Sequence, residues 1–150
     1  MTNPVIKSIE VSCGAAKAFD VFVNRTAKWW PLAGHSVSAG AGQAALAVTI
    51  EPKLGGAVFE TKFDGARTEW GQVTAFETGK YMAMTWHPGT NAEYPTKVEV
   101  KFEELSNERT RVTLTHSGWE VWAEKADEMR SNYNGGWVTV FEDCFGQACS

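Results

Sequence analysis

The feature that most constrains the fold is an almost unbroken succession of strand patterns between Ala44 and Ser117. Short runs rich in Val, Thr, Phe, Tyr and Trp alternate there with clusters of Gly, Pro, Asn and Asp, a pattern typical of strands separated by turns. The segment therefore predicts a long antiparallel meander. Its turn signals are Pro52 to Gly56, Asp64-Gly65, Thr78-Gly79, Pro88 to Pro95 and Ser106 to Glu108.

Helical periodicity lies on both sides of this meander. Residues 6–11 predict a first strand, and residues 14–24 predict a helix because apolar side chains recur there at three- and four-residue steps. In a second apolar stripe near the C-terminus, two adjacent glycines at 135–136 would weaken a continuous helix by about 1 kcal/mol each. We therefore expect two helical segments, 124–131 and 136–149. The stripe comprises Tyr133, Trp137, Val140, Phe141, Cys144, Phe145 and Ala148.

This order of elements predicts an α+β fold. A first strand, one helix, a long meander and a closing helix form a grip, in which a curved antiparallel sheet wraps around a long C-terminal helix. No internal repeat, linker or low-complexity stretch interrupts the pattern, so we expect a single domain over residues 1–150. A space between the sheet and the helix, where side chains do not meet, is the candidate functional site.

Opposed side chains predict the register of two hairpins. A two-residue turn at 78–79 would place Glu77 opposite Lys80, a favourable cross-strand pair. In the last hairpin, a three-residue loop aligns apolar pairs and places His116 beside Val98. His116 is then expected on the inner face of the sheet.

A third hairpin decides which face carries an acidic residue. A four-residue loop at 64–67 would place Lys62 opposite Glu69, whereas a two-residue turn would oppose like charges. With this register Glu60 falls on the apolar inner face, and Trp70 falls on the opposite face, which mixes aromatic with polar residues.

Composition excludes several classes of protein. The hydrophobic share is 43% and aromatic residues make up 12%, with seven Trp, so the chain is not disordered. The net charge is -4, without a basic block, which argues against nucleic acid or an anionic membrane as partner. The N-terminus has no signal-peptide pattern, and no run approaches the roughly 20 apolar residues of a membrane helix.

Cysteine and histidine usage points to a reduced, metal-free protein. The three cysteines, Cys13, Cys144 and Cys149, form no CxxC pair, and we expect a cytoplasmic location. Three scattered histidines lack the spacing of a zinc site, so neither a metal nor a cofactor is expected.

Glu60 is the most informative polar residue. A carboxylate facing a core costs several kcal/mol unless it is paired. One interpretation is a pocket carboxylate that orients a ligand or moves a proton. The other is a buried structural partner for a backbone amide, an indole N–H or an Arg.

Two histidines also allow a functional and a structural interpretation. His116 on the inner face and His35 in the loop after Trp30 could serve as polar anchors, and His116 with Glu60 could form an acid–base pair. The alternative, which we favour for His116, is a core histidine whose hydrogen bonds are satisfied.

The large aromatic residues are mostly expected in the core, because each buries 150–250 Å². So many indoles in one domain would also leave a rigid aromatic wall wherever packing is incomplete, and methionines would adapt that wall to irregular shapes. The predicted ligand-binding residues are Trp30, His35, Glu60, Trp70, Met84, Trp86, His116, Trp137 and Phe141. No residue is assigned a catalytic role.

Several runs of sequence, in this order, resemble the START-like (SRPBCC) superfamily, in particular the branch related to the C-terminal domain of the activator of Hsp90 ATPase. The resemblance implies the helix-grip fold. It says less about function, because the superfamily includes lipid carriers, cyclases, antibiotic-sequestering proteins and co-chaperone domains. The runs are WWP with the nearby HSV, GGAVFE at 55–60, EWGQVTAFE at 69–77, YMAMTW at 81–86, TRVTLTHSGWE at 110–120 and GGWVTVFEDCF at 135–145.

We therefore expect a protein that binds a small hydrophobic or aromatic molecule between the sheet and the C-terminal helix. Two alternatives stay open. One is a cyclase- or hydrolase-type enzyme that uses Glu60 and His116, which requires the two side chains to lie within about 3.2 Å or to share a water. The other is a chaperone-interaction module of the Hsp90 type. A homodimer is compatible with the sequence.

Overall fold

The computed structural model, which describes residues 2–149, contains a curled antiparallel sheet of seven strands. Spatial order is β1-β7-β6-β5-β4-β3-β2, so the first strand pairs with the last and the meander fills the rest. The strands are β1 (Val5–Val11), β2 (Ala47–Ile50), β3 (Ala57–Thr61), β4 (Arg67–Glu77), β5 (Tyr81–Trp86), β6 (Thr96–Ser106) and β7 (Arg109–Ser117).

Helices cover the concave side of this sheet. The first two occupy the connection from β1 to β2, and a long helical stretch at 126–148 closes the grip, which confirms the predicted α+β helix-grip fold. Short 3₁₀ turns lie at Ser38–Ala41 and Trp119–Lys125. The helices are α1 (Ala15–Asn24), α2 (Thr26–Trp29), α3 (Ala126–Trp137), a π-helical segment (Val138–Phe145) and α4 (Gly146–Ala148).

The C-terminal helix is continuous, so the predicted break between residues 131 and 136 is wrong. Both glycines lie within α3, and the chain passes directly into the π-helical segment. The side chains of Trp137, Phe141 and Phe145, on the inner face of this helical stretch, are almost completely buried. The rings of Phe141 and Phe145 stack with their centroids 5.6 Å apart. Burial of side chains this large is worth several kcal/mol, which exceeds the helical cost of two glycines.

The hairpin between β4 and β5 has a three-residue loop rather than the predicted two-residue turn. Glu77 therefore pairs with Tyr81 and not with Lys80, and a bulge follows between Val73 and Ala75. The bulge turns Phe76 toward α1, where it packs against the ring of an α1 phenylalanine at 5.3 Å.

The hairpin between β3 and β4 also departs from its predicted register. Phe59, not Lys62, lies opposite Glu69. The Arg67 guanidinium stacks 3.7 Å from the Phe59 ring and forms a 2.6 Å ion pair with Glu69, so these contacts replace the predicted charge pair. The register also shifts between Val58 and Phe59, where Trp70 is the extra residue of the longer strand. Trp70 is buried on the inner side, with 1% of its surface exposed, and its assignment to the outer face was wrong.

The hairpin between β6 and β7 has the predicted cross-strand pairs, but its loop has two residues rather than three, because Ser106 pairs with Arg109 after a bulge that follows Glu104. Val98 lies opposite His116, and both side chains are fully buried. The inward direction predicted for Glu60 is also confirmed, since it is 0% exposed.

Cys13, Cys144 and Cys149 are free thiols. No helix between residues 2 and 149 has the length and apolar character needed to cross a membrane.

Candidate functional site

A cavity of about 420 Å³ lies between the sheet, the loop after α2 and the C-terminal helix. Its wall is mainly aromatic and aliphatic, and none of its lining residues among positions 2–149 is Asp, Glu, Lys or Arg. The lining residues are Trp30, His35, Ser36, Val37, Gly40, Trp70, Trp86, Pro88, Gly89, Tyr133, Gly136, Trp137 and Val140.

Four indoles form a connected aromatic wall around this cavity. Trp70 contacts Trp30 at 5.2 Å and Trp86 at 5.4 Å between ring centroids. Trp137 closes the circuit, at 5.6 Å from Trp86 and 6.0 Å from Trp30. Their tilted and edge-to-face geometries are those that aromatic pairs favour. The wall is therefore rigid, because moving one ring disturbs two or more others.

Local structure positions each of these rings. Trp30 ends α2 with an extended backbone, and its indole N–H donates to the carbonyl of His35 at 2.6 Å, which ties the following loop back onto the wall. Trp70 and Trp86 come from neighbouring strands, and Trp137 is the last residue of α3. The cavity thus has walls from the loop, the sheet and the helix.

Glu60 lies behind the wall and holds the loop. Its carboxylate accepts hydrogen bonds from the backbone N–H of Val37 at 2.7 Å and of Ser38 at 2.9 Å. The Ser38 hydroxyl and the Trp70 indole N–H also donate to it, at 2.7 and 3.2 Å. Because Val37 and Trp70 line the cavity, this carboxylate positions two parts of the wall.

His116 takes part in a second buried network, whose donors fix its tautomer. The Trp137 indole N–H donates to Nδ1 at 3.0 Å, so this nitrogen carries no proton. Thr96 Oγ1 donates to the Trp86 carbonyl at 3.1 Å and so accepts from Nε2–H at 2.7 Å. Burial lowers the pKa of His116 to about 3. The imidazole is therefore neutral and supports Trp137.

One indole of the wall has an unmet donor. The Nε1–H of Trp86 is buried and has no hydrogen-bond partner. Tyr133 packs against the same two neighbours as Trp86, with ring centroids 4.7 Å from His116 and 6.5 Å from Trp137. Burial raises the pKa of Tyr133, and the Trp86 N–H acts against that rise.

The structure brings five of the nine predicted site residues to the cavity. These are Trp30, His35, Trp70, Trp86 and Trp137. The other four, Glu60, Met84, His116 and Phe141, are buried outside the lining set.

A ligand contact of any of the nine stays a prediction. Glu60 and His116 share no hydrogen bond, and each is occupied by its own set of partners. Their predicted acid–base pair is therefore absent from this geometry.

Several lining residues escaped the sequence analysis. Tyr133 and Val140 belong to the helical stripe that was read as core, and the periodicity of a stripe does not distinguish cavity from core. Gly136 lies against the His35 ring, which is 3.8 Å from where its Cβ would stand. Val37 reaches the wall only because Glu60 holds its backbone, a long-range contact that no local pattern reveals.

Comparisons with known proteins agree with this fold. The family model described as "Activator of Hsp90 ATPase homolog 1-like protein" matches residues 13–145. Among solved structures, the chain is 26% identical to an anthrahydroquino-gamma-pyrone synthase, with a TM-score of 0.60 and coverage of 85% of this chain and 84% of that one. None of the curated proteins matches the chain.

Two more distant structures share the fold alone. The chain is 19% identical to CalC, a self-sacrificing resistance protein from Micromonospora echinospora, with a TM-score of 0.67 and coverage of 98% and 94%. It is 18% identical to an HSP90 activator from Plasmodium falciparum, with a TM-score of 0.54 and coverage of 78% and 74%.

Proposed function

Because the chain belongs to the activator of Hsp90 ATPase homolog 1-like family, as its motifs predicted, we propose that it uses the cavity of this fold to bind a small apolar, aromatic molecule. The observation that carries the proposal is a cavity of about 420 Å³ walled by four indoles. Ligand sites typically have volumes of about 300–1,000 Å³ and mostly apolar walls. The likeness to a synthase named for a fused aromatic compound supports an aromatic ligand.

The arrangement of the wall favours flat molecules. The indoles present faces and edges at fixed angles, and a flat ring system can make offset-stacked and edge contacts with them. Their surroundings are already ordered by the Glu60 and His116 networks. Binding would therefore cost little side-chain ordering, which is the part of the free energy that preorganised sites save.

Family membership by itself does not decide between ligand binding and chaperone contact, because one fold serves many functions. The cavity is what favours ligand binding. An enzyme using Glu60 and His116 would need these groups freed from the donors and acceptors that now occupy them.

The test is a screen of lipophilic aromatic compounds by thermal shift and tryptophan fluorescence quenching. At a hundredfold excess over Kd, a ligand stabilises the folded protein by about 2.7 kcal/mol. For a chain of this size the corresponding rise in Tm is about 5–10 °C. Several indoles line the cavity, so the same ligand should also change the fluorescence.

Two neighbouring glycines provide a matched pair of variants. Gly136 lines the cavity, and a side chain there would extend past the His35 ring into the space, so Gly136→Leu should abolish binding. Gly135 lies next to it, outside the lining set and with nothing within 4 Å of its would-be Cβ, so Gly135→Leu should bind normally. Unchanged binding by folded Gly136→Leu, or no response to any compound, would refute the proposal.

A further inference from the structure

The cavity has no carboxylate, ammonium or guanidinium side chain to match a charged ligand. None of its lining residues within 2–149 is Asp, Glu, Lys or Arg. A carboxylate, phosphate or ammonium group placed against indoles would lose its hydration without gaining an ion pair, which costs several kcal/mol. The wall therefore favours uncharged molecules.

The polar groups of the wall are few, and most of them are already used. The Ser36 hydroxyl donates to the Leu32 carbonyl at 2.8 Å and accepts from the Ala39 N–H at 3.0 Å. The N–H groups of Trp30, Trp70 and Trp137 all have protein acceptors. The polar side-chain groups that remain among the lining residues are the buried Nε1–H of Trp86, the His35 ring and the Tyr133 hydroxyl.

The Tyr133 hydroxyl has the character of a donor. Its polar neighbour is the buried Nε1–H of Trp86, a group that can only donate. When the two groups approach, the tyrosine oxygen serves as acceptor, and its own O–H proton stays free to point into the cavity. A hydroxyl that accepts one hydrogen bond donates its own proton more strongly, because successive hydrogen bonds polarise one another.

A buried N–H without a partner is costly and calls for a physical explanation. A ligand oxygen supplies one, because when it accepts the Tyr133 proton the lone pairs of the tyrosine oxygen are left for the Trp86 N–H.

From the uncharged wall and this pair of donors we infer that the cavity selects uncharged planar aromatic molecules carrying a carbonyl-type oxygen, and that the Tyr133 hydroxyl donates the hydrogen bond that recognises this oxygen. The inference rests on the proposed function, since it names the class of ligand for the same cavity. Tyr133 is the ligand-binding residue of this proposal, and the Trp86 N–H is the second donor.

The test uses three probes on one tricyclic skeleton: fluorene, fluorenone and a fluorenone carboxylate. Fluorene has no strong acceptor, fluorenone carries one carbonyl, and the carboxylate adds a charge. Dissociation constants are measured by tryptophan fluorescence quenching. We expect wild type to bind fluorenone about threefold to tenfold more tightly than fluorene, which is the usual net worth of one hydrogen bond. The carboxylate should bind at least tenfold more weakly than fluorenone.

The decisive quantity is the ratio of the fluorene and fluorenone constants in two variants. Tyr133→Phe removes only the hydroxyl, and the ratio should fall to about one or below. Tyr81→Phe is the matched control, because Tyr81 donates to Glu99 away from the cavity, and its ratio should equal that of wild type. An unchanged ratio in Tyr133→Phe would overturn the inference and assign the carbonyl to another donor.

A second measurement covers the case in which Tyr133→Phe does not fold. In wild type the carbonyl stretch of bound fluorenone should lie at lower frequency than in hydrocarbon solvent, and an unshifted band would overturn the inference. The same experiment distinguishes failure of the inference from failure of the proposed function. If none of the three probes binds, the proposed function fails for this skeleton and the inference falls with it. Equal binding of all three overturns the inference alone.

Discussion

Replacing the buried carboxylate at residue 60 by an amide tests how the cavity wall is held. In Glu60→Gln the shape is kept, but one of the two acceptor oxygens becomes an NH₂ group. Four donors then compete for a single oxygen. They are the backbone N–H groups of Val37 and Ser38, which now lie 2.7 and 2.9 Å from the carboxylate, the Ser38 hydroxyl and the Trp70 indole N–H. At least two of these four hydrogen bonds are lost, and donors face the new amide.

The size of the effect follows from the energies of such bonds. A hydrogen bond to a charged group is worth about 1.5–3 kcal/mol, so losing two would cost about 3–6 kcal/mol. Removing a buried charge returns part of its desolvation cost. We therefore expect the free energy of unfolding to fall by about 3 kcal/mol, measured by urea denaturation. Affinity for fluorene should fall as well, because Val37 and Trp70 line the cavity.

The control for this variant is Glu99→Gln. Glu99 accepts one hydrogen bond, from Tyr81, at a half-buried position away from the cavity. The amide oxygen of Gln can still accept from Tyr81, so Glu99→Gln should cost under about 1 kcal/mol and leave fluorene binding unchanged. A Glu60→Gln protein within about 0.5 kcal/mol of wild type, with the same fluorene affinity, would refute the assignment of Glu60 as the residue that holds the wall.

Three further substitutions or conditions test the fold. Because burial lowers the pKa of His116 to about 3, the unfolded chain takes up a proton near pH 6.5 that the folded protein refuses. Stability should therefore fall below pH 6.5 by up to about 1.4 kcal/mol per pH unit, and urea unfolding that is flat from pH 7 to 5 would contradict this. Ala123 has φ 51°, so Ala123→Gly should raise the unfolding free energy by about 1 kcal/mol, and a decrease would count against the strain. A Cβ on Gly71 would stand 1.9 Å from the Thr85 carbonyl oxygen, so Gly71→Ala should lower Tm by 10 °C or more, a drop of roughly 3 kcal/mol, whereas Gly34→Ala, with nothing within 4 Å, should not.

The elements of this fold are readable from the sequence, and the irregularities between them are not. Alternation and turn residues locate the strands because one face of each strand is buried. The bulge between Val73 and Ala75 shifts the register without any local signature, and the direction of Phe76 follows from it. Trp70 was placed on the wrong face for a similar reason, since a second register shift, between Val58 and Phe59, leaves Trp70 as an extra residue in its strand.

The types of residue that form the site were predictable from the sequence, and their spatial arrangement was less so. An excess of indoles predicted an aromatic wall, and Trp30, Trp86 and Trp137 line it. Which polar groups face a cavity and which satisfy one another depends on contacts between distant segments. Glu60 meets a loop more than twenty residues away, and Tyr133 reaches the wall only because the helix stays continuous through two glycines.

The most direct measurement of the central claim is the location of a bound probe by intermolecular NOEs from fluorene. The account predicts NOEs to the methyl groups of Val37 and Val140, which line the cavity from the loop and from the helix. Val138 lies close by on the same helix, 38% exposed and outside the lining set. NOEs from saturating fluorene to Val138 alone, with none to Val37 or Val140, would show that the hollow between sheet and helix does not receive the ligand.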